Sequence, residues 1–232
     1  MPAPQGPPAA RHGERALVEL TVIENVRAAL LSASNLYAAQ RPREAREHAQ
    51  RARALYMAQL ARGVRGRDGV LDRELLAAFA AIDGDLHRAT PPPPAVRERI
   101  GALSGQLLDA AEGLLVPAPA RSDAGARAEV LVRTLGAMDR AYAHGLGPAA
   151  RLPEGRFSVD RAYGLLARAQ SSARGLAASL GPQKDPVLLA LSDIRLRAFP
   201  TGVLRPATAA PAAEVRERVR RLGRILRERY RL

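Results

Sequence analysis

Pro94–Ala111, PAVRERIGALSGQLLDAA, decides the fold. Val96, Ile100, Leu103 and Leu107 fall at i, i+4, i+7 and i+11, which is one face of an α-helix. The pattern returns near the end of the chain as Ala213–Tyr230, AEVRERVRRLGRILRERY. Val96, Arg97, Glu98, Arg99, Leu103 and Leu107 reappear at one constant offset as Val215, Arg216, Glu217, Arg218, Leu222 and Leu226, and Ile100 becomes Val219. The chain therefore reads as two copies of one helical unit, each closed by this helix.

Outward from that stretch the same order repeats. A helix over about 14–40 carries Val26, Leu30, Ala33 and Tyr37, and one over about 123–144 carries Leu131, Leu135, Met138 and Tyr142 at matching spacing. A helix from Pro42 to about Arg62 shows Ala45, Ala49, Ala52, Leu55 or Tyr56, and Leu60 inward, and the small residues among them permit close approach. Gly63–Gly69, GVRGRDG, is expected to be a loop from its three glycines. Leu76, Phe79, Ile82 and Leu86 stripe a third helix; Val187, Leu188, Leu191, Ile194 and Ala198 echo it. Gly145–Phe157 is expected to be a long loop before a helix over 158–180. Asp185-Pro186 reads as an N-cap with proline at the first helical position. The proline run Pro91–Pro94 and the linker Pro200–Pro211 precede the two closing helices. The expected architecture is all-α: about eight helices in two tandem four-helix units. A Pro/Ala-rich disordered arm covers 1–12, a first repeat 13–116 and a second 121–232.

Composition agrees with helices. Hydrophobic residues make up 47% of the 232, yet aromatics only 3%. Alanine and leucine dominate, whereas a β-sandwich would draw on Val, Tyr and Phe. The absence of cysteine excludes disulfides, thiolate metal sites and thiol nucleophiles. The longest stretch without charge, Ala28–Gln40, is shorter than the roughly 20 apolar residues a membrane span needs. MPAPQGPPAARHGER at the start has neither a basic n-region nor an apolar h-region. The expected compartment is the cytoplasm for the sequence as written, or an extracytoplasmic one if the true start lies upstream.

The formal charge of +13 points to an anionic partner such as polyphosphate, nucleic acid or a membrane surface. A GC-rich coding sequence explains why Lys184 is the only lysine, but not the excess of bases over acids. The last helix concentrates the charge, and Arg216, Arg220, Arg221, Arg224 and Arg227 are the candidate anion-binding residues. Stacking aromatics are nearly absent there, which argues against sequence-specific reading of single strands. The competing reading is a solvated outer face.

For metal, the densest cluster is Arg43-Glu44-Ala45-Arg46-Glu47-His48. Glu44 and His48 share a helical face, so Glu44, Glu47 and His48 are the candidate ligands, with iron the possible metal. The alternative is a solvated first turn in which glutamate complements the helix dipole. Asp83, Asp85 and His87 form a second, weaker cluster near a helix end. No nucleophile elbow, phosphate loop, zinc-protease signature or dinucleotide fingerprint is present, so an enzyme is not expected.

Arg46–Asp72 and Leu75–Leu115, the latter reading LLAAFAAIDGDLHRATPPPPAVRERIGALSGQLLDAAEGLL, resemble the helical extracytoplasmic region found ahead of the membrane part in some bacterial high-affinity iron permeases. That resemblance covers about half the chain. It implies a non-enzymatic binding or accessory module in iron uptake, with an iron permease or another protein as partner. The permeases carry an Arg-Glu-x-x-Glu motif within a membrane helix. Arg43–Glu47 spells it, but Arg, His and Gln surround it here. The alternatives are an arginine-rich anion binder and a ligand-free interaction scaffold.

Overall fold

The computed structural model of the chain describes residues 12–88, 91–201 and 209–232. The fold is all-α, with no strand among the described residues. No described helix is long and apolar enough to cross a membrane. The arm expected over 1–12 lies outside the described residues, except for His12. Most of the Pro200–Pro211 linker lies outside them too. The chain falls into two compact units: Glu19–Val116, and Pro117–Leu232 together with the chain up to Val18.

The unit Glu19–Val116 takes α1 (Glu14–Ala38) from Glu19 onward, α2 (Pro42–Gln59), α3 (Ala61–Arg65) and α4 (Gly69–Arg88). It closes with α5 (Pro93–Ala102), one π-helical turn (Leu103–Leu107) and α6 (Leu108–Leu115). Prolines at the first positions of α2 and α5 cost nothing, because those N–H groups have no partner within the helix. Ile23, Val26 and Leu30 from α1, Ala45, Ala49 and Ala52 from α2, and Leu75, Phe79 and Ile82 from α4 are all buried. Tyr56 stacks at a tilt on Phe79, with ring centroids 5.7 Å apart.

The π turn overturns part of the opening pattern. Val96, Ile100 and Leu103 are buried as the spacing predicts, but Leu107 is only half-buried and Leu108 takes its place in the core. One extra residue per turn rotates everything beyond Leu103 by about 100° relative to an α-helix. In the C-terminal counterpart no such turn occurs, and Val215, Val219, Leu222 and Leu226 are all buried.

The segment expected to be a loop at Gly63–Gly69 is a turn only at its centre, 66–68; Gly63 lies inside α3 and Gly69 begins α4. Gly63 is there for space: a Cβ on it would stand 2.9 Å from Leu115 Cδ2. The stripe of α4 is also offset by one residue at its start, with Leu75 buried and Leu76 half-exposed.

The second unit contains α7 (Ala118–Ser122), α8 (Ala124–Leu146), α9 (Pro153–Gly175), α10 (Ala177–Leu180), α11 (Lys184–Ala198) and α12 (Ala212–Tyr230). Short 3-10 turns, Pro148–Arg151 and Gly181–Gln183, join its helices. α8 packs on α9 and α12, and α11 packs on α12 and α9. Asp123 caps α8, its Oδ1 accepting from the Ala126 N–H at 2.7 Å. Within the span expected to be a long loop, 145–157, α8 runs through Gly145 and α9 begins at Pro153. A Cβ on Gly145 would fall 2.5 Å from Val159 Cγ2 and 2.9 Å from the Gly155 carbonyl. That glycine lets two helices touch rather than breaking one. Asp185 sits inside the first turn of α11; it is not the N-cap, because a 3-10 turn leads into Lys184. Leu188, expected inward, is half-exposed.

The start of α1, up to Val18, belongs to this second unit. Leu17 is fully buried, and Arg133 grips both carboxylate oxygens of Glu14, at 2.7 and 3.0 Å.

Tyr142 closes the far side of the unit. Its hydroxyl donates to the Ala210 carbonyl at 2.7 Å, and its ring meets Phe199 edge-on at 5.6 Å. Burial first, then the charge of Glu214, pushes this phenol up to about 12. The folded value exceeds that of an exposed tyrosine, so the unfolded chain loses this proton first. The stabilisation is complete below pH 10 and is lost as pH rises from about 10 to about 12. The absorbance titration of the wild-type chain will therefore show a late tyrosinate step in that window, coupled to loss of helix. Tyr142→Phe will show a smaller late step, because buried Tyr56 is pushed up as well, and a wild-type curve with all tyrosines ionising together near pH 10 contradicts the assignment.

Candidate functional site

The three proposed metal ligands sit on α2, but the helix turns them apart. His48 points into the core and is fully buried. Glu44 bonds Arg41, whose Nε stands 3.0 Å from Oε1, and Glu47 is exposed beside Arg43 at 3.5 Å. Burial pushes the Glu44 carboxyl up, but its own backbone N–H and Arg41 outweigh this and hold it below the usual range. Among the described residues, no three His, Asp or Glu side chains stand together as a metal would require. Glu44, Glu47 and His48 thus make no ligand set. Two carboxylates engaged by arginines on the outside and an imidazole inside cannot converge on one point.

The second acidic cluster is organised by arginine. Arg46 on α2 reaches across to α4 and donates to both oxygens of Asp83, at 2.8 and 3.0 Å, while its Nη1 lies 3.0 Å from His87 Nδ1. Gln50 adds a bond to Asp83 at 3.0 Å. Arg46 holds the Asp83 carboxyl below its usual range. The helical spacing did place Asp83 and His87 on one face, but a guanidinium fills the space a cation would take. Asp85, on the other side of α4, is buried and tied to Arg88 and Arg99.

Sequence reasoning missed the most buried charge cluster, because its members are far apart in the chain. Arg27 on α1 is buried and donates to Glu24 at 2.7 Å, to Glu112 at 3.0 Å and to Asp109. Its Nε reaches the Ser104 carbonyl, 3.3 Å away, inside the π turn. Burial works against the Arg27 charge, but Glu24 and Glu112 overcome it and raise its pKa. A π turn shifts carbonyls out of their usual helical partnerships, and Arg27 takes up one of them. The only hint in the sequence was an arginine next to Val26 on an otherwise apolar face.

The C-terminal helix α12 divides its arginines between structural and free roles. Arg216 leans on α8, with Nε 3.1 Å from Asp139 Oδ2. Arg218 leans on α11, with Nε 2.6 Å from Asp193 Oδ2, and holds that carboxyl below its usual range. Arg216 therefore leaves the predicted anion-binding set: its charge is spent on holding two helices together. Arg220, Arg221, Arg224 and Arg227 are exposed. Arg224 has only a distant neighbour in Glu217, at 3.9 Å. Arg227 lies over Gly223, where a Cβ would meet its Nη1 at 3.2 Å. Arg220, Arg224 and Arg227 fall at i, i+4 and i+7, a solvent-facing row about 10 Å long, and Arg231 follows just past the helix end in left-handed backbone. Tyr230, the one aromatic nearby, turns its hydroxyl to Ser179 at 2.7 Å, away from any stacking role.

Beside that stripe, α11 and α12 leave a groove of about 580 Å³ between them. Its walls are Pro186 and Leu189 on α11 and Leu222 and Ile225 on α12, and Asp193, Glu217, Arg218 and Arg221 line it as well. A second, smaller hollow that shares Ile225 is lined by Pro182, Glu228 and Arg229. No protein-family model, no curated protein and no solved structure matches this chain.

Proposed function

We propose that the chain is a helical binding module that takes a phosphate-bearing polyanion on the arginine stripe of α12. The observation that carries this reading is the exposure of Arg220, Arg224 and Arg227 along one line, with Arg231 just past the helix end and, among the described residues, no carboxylate closer than 3.9 Å to any of them. Arg216 and Arg218 on the same helix are instead paired across to neighbouring helices. Unpaired guanidiniums in a row suit a ligand with a row of phosphates, and displacement of its counterions drives the binding. Without stacking residues the contact is to phosphate alone, so affinity follows charge and not base sequence.

The accessory role in iron uptake implied by the iron-permease resemblance has no ligand set at Glu44, Glu47 and His48. It would have to act through a protein partner. A binding role needs no catalytic residues, in keeping with the motifs absent from the sequence.

The test is retention on immobilised polyphosphate or heparin, and titration of a short duplex DNA at several salt concentrations. We expect log K to fall against log salt with a slope of roughly −3 to −4, one unit for each stripe arginine. Replacing Arg220, Arg224 and Arg227 by Glu should abolish retention, whereas Arg195→Glu on α11 should not. No retention of the wild-type chain at low salt ends the proposal.

The scaffold carries a reading of its own: the two units are copies of one four-helix plan. Two matched contacts support it. Tyr37 near the end of α1 donates to the Pro91 carbonyl at 2.6 Å, two residues before α5 begins. Tyr142 on α8 donates to the Ala210 carbonyl, two residues before α12 begins.

A further inference from the structure

We propose that the groove between α11 and α12 binds a single-chain anionic amphiphile, such as a fatty carboxylate. Its alkyl chain would lie along Leu189 and Ile225, and its head group would meet Arg221. The inference does not rest on the polyanion reading, because the arginine stripe faces solvent and the groove faces α11.

Three observations carry it. The first is an apolar surface left open: Leu189 on the groove wall is 69% exposed, although α11 has buried positions at Val187 and Leu191 on either side. Leucine at such exposure in a concave site is a place for an apolar ligand. The second is the charge. Arg221 has no carboxylate partner among the described residues, while Arg218 beside it is fully committed to Asp193 and Glu214. From Arg220 to Arg231 there are six arginines against one glutamate, so the field along this half of α12 favours an anion. Glu217, the other acid on this wall, is the one that leans toward Arg224.

The third observation is direction. The Arg218–Asp193 ion pair closes one end of the groove. From Arg221 the groove runs the other way, past Ile225 and Pro186, where the second hollow, lined by Pro182, Glu228 and Arg229, adjoins at Ile225. Eight residues of helix separate Arg221 from Arg229, about 12 Å. That path suits an extended alkyl chain of medium length. A small inorganic anion would leave the apolar walls wet, and a neutral hydrocarbon would leave Arg221 unused. The amphiphile satisfies both.

The experiment is calorimetric titration of the full chain with dodecanoate below its micelle concentration. We expect one dodecanoate per chain, no heat from butyrate, and tightening by up to about fourfold for each methylene between octanoate and dodecanoate. Dodecyltrimethylammonium, with the same chain and the opposite charge, should bind at least about tenfold more weakly. Leu189→Asp and Arg221→Glu should each weaken dodecanoate by about tenfold or more. Both positions are on the surface, and circular dichroism will verify that the variants remain helical. Arg224→Glu, outside the groove, should weaken dodecanoate far less than Arg221→Glu does while weakening retention on polyphosphate. Equal binding of the cationic amphiphile, many molecules per chain, or unchanged affinity in Leu189→Asp each overturns the proposal. Loss of polyphosphate retention alone would leave the groove standing and remove only the arginine stripe.

Discussion

Arg27→Ala will lower the stability of the chain by about 3–5 kcal/mol, the largest effect of any charge-removing change expected here. The reason is the company Arg27 keeps. Glu24 and Glu112 are both buried, and Arg27 bonds both. Taking the guanidinium away leaves their negative charges sharing a dry region without that counter-charge. The substitution also frees the Ser104 carbonyl in the π turn, which Arg27 now satisfies. Urea titration followed by circular dichroism measures the loss. Two controls separate charge from packing. Arg27→Met keeps much of the side-chain volume and should still be strongly destabilised. Combining Arg27→Met with Glu24→Gln and Glu112→Gln should recover a large part of the loss, because neutral amides tolerate burial far better than carboxylates. A loss under about 1 kcal/mol in Arg27→Ala contradicts the cluster's role.

Tyr56→Ala should cost nearly as much, about 3–5 kcal/mol. Tyr56 is fully buried on α2, packs on Phe79 of α4, and its hydroxyl donates to Asp72 Oδ1 at 2.6 Å. Arg65 holds the other Asp72 oxygen at 2.7 Å. Burial pushes the Asp72 carboxyl up, but the Tyr56 hydroxyl and then Arg65 outweigh it and keep the group ionised. Alanine would leave a ring-sized cavity and strip one partner from a buried carboxylate. Tyr56→Phe keeps the ring and removes only the hydroxyl, so it should cost about 1–3 kcal/mol. The difference between the two variants isolates the packing term. Similar losses in both would mean that the ring contributes little, contrary to its position between two helices. The sign with pH is also set. A carboxyl held below its usual range stabilises the fold above about pH 4, and that contribution is lost as pH falls through the lower folded value. The wild-type chain should therefore lose more stability than Tyr56→Phe between neutral pH and strong acid.

The helices themselves were legible because their signals are local. Period and the proline start at Pro42 act within a turn or two of where they sit, whereas the proline start at Pro153 was passed over inside an expected loop. The glycines were misread for the opposite reason. Gly63 and Gly145 look like breakers in a one-dimensional reading, yet each is small because another helix crosses there. The candidate site was legible in part. The exposure of Arg220, Arg221, Arg224 and Arg227 agrees with the reading of α12 as a charged outer face, while Arg216 turned out to be engaged by Asp139. The metal set was not assembled, since helical spacing says which residues share a face but not whether that face looks outward or inward. Glu44 and His48 lie four residues apart on α2, but Glu44 meets Arg41 near solvent while His48 is fully enclosed.

What this sequence determined by itself is the all-helical class, the approximate place of each long helix, and an arginine-covered exterior, because each follows from side-chain period and charge along a single segment. What only the tertiary structure decided is where the chain departs from that period and which charges are spent. The π turn that trades Leu107 for Leu108 exists beside an arginine from α1, more than seventy residues earlier. The division of α12 into paired and unpaired arginines depends on Asp139 and Asp193 from two other helices. Burial and ion pairing belong to neighbours in space, and no local pattern contains them.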